Sequence, residues 1–284
     1  MIETAQKGIL YIVATPIGNL EDMTFRAIRI LQEVDIIAAE DTRHTGKLLH
    51  HFQIKTPQIS YHEHNRQQRI PELIKMLLDG QKIALVTDAG MPLISDPGYD
   101  LLIASIAEEI TVIPIPGANA AITALSGAGL PTDRFIFEGF LPTKNKDRKE
   151  RLEFLKAETR TIILYESPHK LKQTLQDLGG IFGQEHDIVL ARELTKIYEE
   201  FWRGKIGEAI AHFNQHDPQG EFTLVIAGNP VIKKQFSHAE IVLELKTLIE
   251  TGISKSEASR LVAQSTGMQK RQIYEIAINM SENI

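Results

Sequence analysis

Two short stretches gather side chains able to move a proton or hold a phosphate. AEDTRHTGK (39–47) sets Glu40 and Asp41 ahead of Arg43, His44 and Lys47, and YHEHNRQQR (61–69) sets His62, Glu63 and His64 in a row. A carboxylate or imidazole beside its reactant accepts a proton at neutral pH. The same residues also read as plain structure, with Asp41 or Thr42 capping a helix inside a salt-bridged first turn. His62, Glu63 and His64 are metal-ligand types. On an extended segment, though, three adjacent side chains alternate in direction and cannot face one ion, so no metal is expected. ESPHK (166–170) and ARELTK (191–196) add Glu166, His169, Arg192, Glu193 and Lys196, which serve equally well as ion pairs.

Three loops rich in small residues accompany these groups: ATPIGNL (14–20), TDAGMPLISDPG (87–98) and PIPGANAAITALSGAG (114–129). Glycine lets a ligand approach the main chain. Asp96-Pro97 reads as a helix start, with Asp as N-cap and Pro in the first turn. The spacing matches neither a dinucleotide fingerprint nor a Walker phosphate loop. The loops also hold no Lys or Arg, so the expected ligand is one held by backbone and small side chains.

Positioning these groups requires a sheet. Nearly continuous apolar runs at 8–15, 35–41, 58–60, 82–87 and 109–117 alternate with helical patterns at about 22–31, on a Phe25–Ile28–Leu31 face, and at 70–78. Such runs mark parallel strands buried on both faces, and ligands of open α/β sheets sit at the carboxyl ends of the strands. Further strands fall at 134–142, 160–167, 186–194, 199–206 and 220–228, with helices at 144–156 and 168–179. The fold class is therefore α/β. An N-terminal α/β domain with a parallel sheet is expected over 1–130. A second α/β domain with a mixed sheet follows over 131–232, then a helical C-terminal extension over 233–284.

Composition bounds the function. The chain is 43% hydrophobic and 24% charged, has no cysteine and carries a net charge of −6. Disulfides and thiolate chemistry are excluded, and a reducing, cytoplasmic setting fits. No apolar run approaches the roughly 20 residues of a membrane span, and no secretory signal is evident.

In order, ATPIGNLEDMTFRA, AAEDTRHT, YHEHN, TDAGMPLISDPG, PGANAAITAL, FLP, YESPH and GEFTLVIAG resemble the tetrapyrrole (class III) methyltransferase superfamily. Within it, the likeness is to the branch that modifies small-subunit ribosomal RNA, and it covers about residues 8–284. The resemblance implies an S-adenosylmethionine enzyme that acts as a homodimer without metal, its cofactor in a cleft between two α/β domains. The implied substrate is the 2′-hydroxyl of a cytidine in the decoding region of 16S rRNA, carried in the small ribosomal subunit. Porphyrin-modifying relatives have a Gly-x-Gly-Asp-Pro loop where this chain has DAGMP, which argues against a tetrapyrrole substrate.

Residue by residue, the resemblance puts Pro16 against the cofactor and Asp88, Ala89, Gly90 and Met91 in a main-chain cradle, with Ile94 beside it. Asn119 and Ala120 would meet the methionine or ribose part. Tyr165 and Glu166 would line the cleft from the second domain, and Leu194, Thr223 and Leu224 would close over the adenine. A ribose hydroxyl is a poor nucleophile, so Asp41 or Glu40 is expected to take its proton, with Arg43 and Lys47 on flanking phosphates.

Two regions suit an RNA. Residues 144–160 hold seven Lys or Arg against four Asp or Glu, although pairs such as Lys146–Glu150 and Lys149–Glu153 would make this an ordinary exposed helix. The segment SKSEASRLVAQSTGMQKRQIYEIAI resembles a helix-turn-helix, but four basic and three acidic residues over 251–284 make a weak nucleic-acid reader. Two other functions share these features: tetrapyrrole methylation, and a nucleic-acid-binding regulator that senses S-adenosylmethionine without turnover.

Overall fold

The computed structural model describes residues 6–230 and 236–280. The chain divides into two compact units, Met1–Asn229 and Pro230–Ile284. The expected boundary at 130/131 lies inside the first unit, and the one at 232/233 lies outside the described residues.

The first half of the larger unit is built from β1 (Ile9–Val13), α1 (Phe25–Glu33), β2 (Ile36–Ala39), α2 (Thr42–His51) and β3 (Gln58–Ser60). It continues through α3 (Arg66–Leu78), β4 (Lys82–Val86), α4 (Tyr99–Ala107), β5 (Thr111–Ile115) and α5 (Ala120–Ala128). The strands form one parallel sheet in the order β3-β2-β4-β1-β5. Tyr11, Val13, Ile37 and Ala84 face α1 and α2, whereas Leu10, Ile12, Ala38 and Ile83 face α3 and α4. Burial on both faces is why the central strands lack polar alternation. The edge strands β3 and β5 are less buried, and an edge tolerates Pro114.

Three helix readings change in this half. Thr24 caps α1 by accepting from Ala27 N at 3.1 Å, so this helix starts at Phe25, and Leu20–Asp22 is a separate 3-10 turn. Its buried face is Ala27, Ile30 and Leu31, and Phe25 is 94% exposed. The second change is in α3, which starts one turn early and includes Pro71 near its N-terminal end. His62–His64 therefore form the turn into α3 and not an extended segment. Asp96, thirdly, caps nothing: α4 starts at Tyr99 behind Gly98, whose φ is 137°.

The second half contains β6 (Phe135–Phe140), α6 (Asn145–Leu155), β7 (Thr161–Glu166), α7 (Pro168–Phe182) and β8 (Asp187–Arg192). β9 (Glu200–Lys205), α8 (Ile206–Gln215) and β10 (Phe222–Ile226) complete it. Its sheet, β6-β7-β10-β8-β9, is mixed, with only β6 and β7 parallel. The helices α6, α7 and α8 cover one face around Leu164, Leu190 and Leu224. The other face packs on α5, where Ala121, Ala124, Leu125 and Ala128 meet Ile163, Val189 and Val225. The small residues of α5 thus serve close packing between the halves: a Cβ on Gly127 would stand 2.6 Å from the Phe201 ring. α7 runs past Gly179, which is buried where a Cβ would meet Gln184 at 2.8 Å.

The smaller unit is a three-helix bundle of α9 (His238–Glu250), α10 (Lys255–Thr266) and α11 (Lys270–Asn279). Its core is Ile241, Leu245, Ala258, Val262, Ile273 and Ala277. Ser237 and Ser254 cap helix starts, and Gly267 closes α10 in the left-handed conformation. No helix among the described residues is long and apolar enough to cross a membrane.

Candidate active site

The carboxyl-end loops of the parallel sheet meet the mixed sheet across a cavity of about 400 Å³. Thr15 and Gly90 exchange backbone hydrogen bonds of 2.9 and 3.1 Å, and Thr15 Oγ1 donates to the Thr87 carbonyl at 3.0 Å. The loop after β1 is thereby tied to the loop after β4. The third loop fits against the first through Gly117, where a Cβ would lie 2.8 Å from that of Ala14. Asn119 caps α5 by accepting from Ile122 N at 3.1 Å.

The loop after β4 is held in uncommon backbone geometry. Gly90, Leu93, Ser95 and Gly98 all have positive φ, and Leu93 and Ser95 do so without being glycine. Across the cleft, Glu193 and Thr195 share that feature. Such conformations cost free energy and persist where the surroundings impose them. Here they turn Asp96 into the cavity.

Of the residues the sequence singled out, Ala89, Gly90, Met91, Ile94, Asn119, Ala120, Tyr165, Glu166, Leu194 and Thr223 line this cavity. Pro16 and Asp88 do not, and their neighbours Ile17 and Ala89 do. Leu224 points the other way. Thr223 stands opposite Tyr165 and Ala191 on the cleft face, whereas Leu224 stands opposite Leu164 and Leu190 in the core at 0% exposure. The Tyr165 hydroxyl accepts from Ala121 N at 3.2 Å, and burial raises its pKa. Glu166 is almost fully buried; its carboxylate accepts from Thr174 Oγ1 at 2.5 Å and from Ser167 N at 2.8 Å.

None of Glu40, Asp41, Arg43 and Lys47 lines the cavity. Asp41 caps α2, accepting from Arg43 N at 2.8 Å, and the Arg43 guanidinium grips the same carboxylate at 3.0 and 2.6 Å. That grip holds Asp41 well below the usual carboxylate range. Lys47 is exposed one turn further along α2. Glu40 is placed differently. It accepts from Thr87 Oγ1 at 2.5 Å and from Asp88 N at 3.3 Å, and Asp88 accepts from Asp41 N at 3.2 Å. Thr87 is buried and also neighbours Asp96, which lies in the cavity lining. Burial first, and then the charge of Glu40, push Asp96 up to about 7 and raise Asp88 as well.

Asp96, Ser95, Phe140, Ala191 and Glu221 also line the cavity without having been singled out for it. For Asp96 the available signal was Gly98: a glycine there suits a helix boundary two residues beyond an Asp cap. The lining contains Asp96, Glu166 and Glu221 and no Lys or Arg, with Glu221 paired at 2.8 Å to Lys196 outside it. It suits a ligand with a net positive charge and an apolar body, the latter against Ile17, Met91, Ile94 and Leu194. A phosphate would find no cation there.

Residues 9–210 match the family described as Tetrapyrrole (Corrin/Porphyrin) Methylases. The chain is 57% identical to the ribosomal RNA small subunit methyltransferase I of Synechocystis sp., over 96% of this chain and 98% of that protein. Its identity to the protein of that name from Halalkalibacterium halodurans is 52%, over 95% and 94% of the two chains. The chain belongs to the ribosomal RNA small subunit methyltransferase I family within the tetrapyrrole methylases. Its fold is shared with uroporphyrin-III C-methyltransferase from Thermus thermophilus in complex with S-adenosylhomocysteine. The TM-score is 0.55 at 13% identity, over 77% of this chain and 97% of that one.

Proposed function

We propose that this protein is an S-adenosylmethionine-dependent methyltransferase acting on the ribose 2′-hydroxyl of a cytidine in the decoding region of 16S rRNA. It works as a homodimer in the cytoplasm and takes its RNA in the small ribosomal subunit. The observation that carries the reading is the cleft lining, acidic and apolar with no cation, in a chain of this family.

S-adenosylmethionine supplies a methyl group on a cationic sulfonium, with an ammonium at the end of its amino-acid arm. In this reading Asp96 offsets that positive charge, and the main chain at Ala89–Met91 cradles the amino-acid part with Asn119 and Ala120. Ile94, Leu194 and Thr223 close over the adenine, and Tyr165 and Glu166 fix the wall opposite. The chain's main contribution is alignment, which is worth roughly 7–11 kcal/mol when reactants are held as a near-attack pair.

The proton of the ribose hydroxyl passes to a carboxylate. Asp41 is committed to Arg43, so Glu40, reached through Thr87, is the better acceptor of the two. Arg43 and Lys47, on one face of α2, take flanking phosphates.

The test is transfer of labelled methyl from S-adenosylmethionine to small subunits from cells lacking this protein, with stripped rRNA alongside. One alkali-resistant linkage at a cytidine of the subunit RNA is the expected result. No label in either substrate, with S-adenosylmethionine still bound, overturns the reading in favour of a sensor.

A further inference from the structure

Phe140 lines the cleft and is nevertheless 58% exposed. A lone exposed apolar residue needs no explanation, but this one is held in place by specific devices. Phe137 pairs with Ile163 and Gly139 with Leu164, so Glu138 is an extra residue in β6. Without that bulge, Phe140 would fall on the Leu164 side, in the apolar core. With it, Phe140 emerges opposite Tyr165 on the cleft side. Gly139 makes the bend at φ 64°, and a Cβ there would stand 2.9 Å from Ser95 Oγ. The Phe140 ring then meets Tyr165 edge to face at 5.7 Å, and Tyr165 meets Phe137 in the same way at 4.9 Å. The ring is supported from within and open outward.

Charge is arranged around this ring in two ways. Beyond Phe140 the chain passes Leu141–Thr143 into α6. Arg148 bonds Asp177 and Thr174, and Arg151 grips the bulge residue Glu138. The expected Lys146–Glu150 and Lys149–Glu153 pairs do not form. Lys144, Lys146 and Lys149 are exposed and make no ion pair among the described residues. Cations thus follow the aromatic face along the chain, interleaved with the exposed Asp147, Glu150 and Glu153, while the cleft lining has none. A phosphodiester chain suits such an outside, and a neutral ring suits such a face. RNA is recognised in this way where bases are unstacked.

We propose that Phe140 is the platform on which the base of the target nucleotide stacks when its ribose enters the cleft, with Lys144, Lys146 and Lys149 holding adjoining phosphates. The inference rests on the RNA-methylation reading above and specifies how that substrate is presented.

The test uses the full chain with Phe140→Ala and Phe140→Trp, assayed at saturating S-adenosylmethionine on small subunits lacking the modification. F140A is expected to lose about 10- to 100-fold in kcat/KM for the subunit, the range of one base–aromatic stack. F140W is expected to stay within a few-fold of wild type. Its emission, over that of the single native tryptophan, should be quenched by a single-stranded oligoribonucleotide. Replacing the three lysines by alanine should flatten the salt dependence of RNA binding by about 2 in log–log slope. Undiminished turnover by F140A, with an active wild type, overturns the platform alone. So does a change of F140A to a smaller oligomer in sedimentation, which would make Phe140 a contact between copies. An inactive wild type overturns the RNA reading itself, and this inference with it.

Discussion

Thr15 and Gly90 form an isolated antiparallel bridge between two loops that leave the same edge of the parallel sheet. Gly90 makes this bridge at φ 84°, and an added Cβ would come 3.4 Å from Ile17. Gly90→Ala is therefore strained by roughly 1–2 kcal/mol. Calorimetry should show S-adenosylmethionine affinity about tenfold weaker, with a smaller loss of thermal stability.

Neighbouring residues on β10 separate binding from stability. Thr223→Val should leave the melting temperature within a few degrees and weaken S-adenosylmethionine, because Thr223 faces the cleft. Leu224→Ala should cost roughly 2–5 kcal/mol in denaturant unfolding, as a core truncation does. In the folded fraction its S-adenosylmethionine affinity should be unchanged.

Asp96 gives binding a pH dependence of definite sign. Its carboxyl lies at about 7, raised by burial and then by Glu40, while a bound cation favours the ionised form. Affinity should be level above this pH and fall towards tenfold per unit below it. D96N should bind more weakly at and above this pH, lose that slope, and converge with the wild type under acidic conditions.

Without cofactor, the same group acts on stability with the opposite sense. The folded chain holds a proton at Asp96 that the unfolded chain has released between its ordinary 3.8 and about 7. This contribution to stability is present below that window and falls as pH rises through it. Thermal scans of apo D96N should lack that decline. Glu158, lowered to about 2 by Arg160, acts in the opposite sense between there and its ordinary 4.5, so it meets the Asp96 window only at its acid end.

The sheets were readable because buried parallel strands must be apolar on both faces, as in ILYIV and KIALV. The cleft loops were readable because small residues left room for a ligand. Leu224 was also within reach, since strand alternation allows only one of Thr223 and Leu224 to face the cleft. Asp96 was not, because Asp-Pro has the local form of a helix cap, and the positive φ of Leu93 and Ser95 depends on tertiary packing. Asp41 or Thr42 as a helix cap was one of two readings of that stretch, and the grip of Arg43 on Asp41 was not specified by it. Glu40, Thr87 and Asp96 come together from two loops, those after β2 and β4, and no local pattern encodes that.

Glu40 and Asp41 can be told apart by kinetics. E40Q should lower kcat by roughly 10²- to 10⁴-fold, the usual value of a positioned proton acceptor. D41N should keep turnover within about tenfold and melting temperature within a few degrees, because Asn caps a helix as Asp does and only the exposed Arg43 pair is lost. The reverse pattern would move the acceptor role to Asp41.

The position of β1 has a consequence for synthesis of the chain. It leaves the ribosome before the strands it pairs with, yet it lies inside the sheet, and its partners begin at Lys82 and Thr111. At about 5–20 residues per second, ILYIV waits several seconds for its first partner and longer for its second. For that interval an apolar strand has both edges open, a natural ligand for a chaperone acting on nascent chains. A strand made before every other strand of its sheet is thus among the last to be paired on both sides.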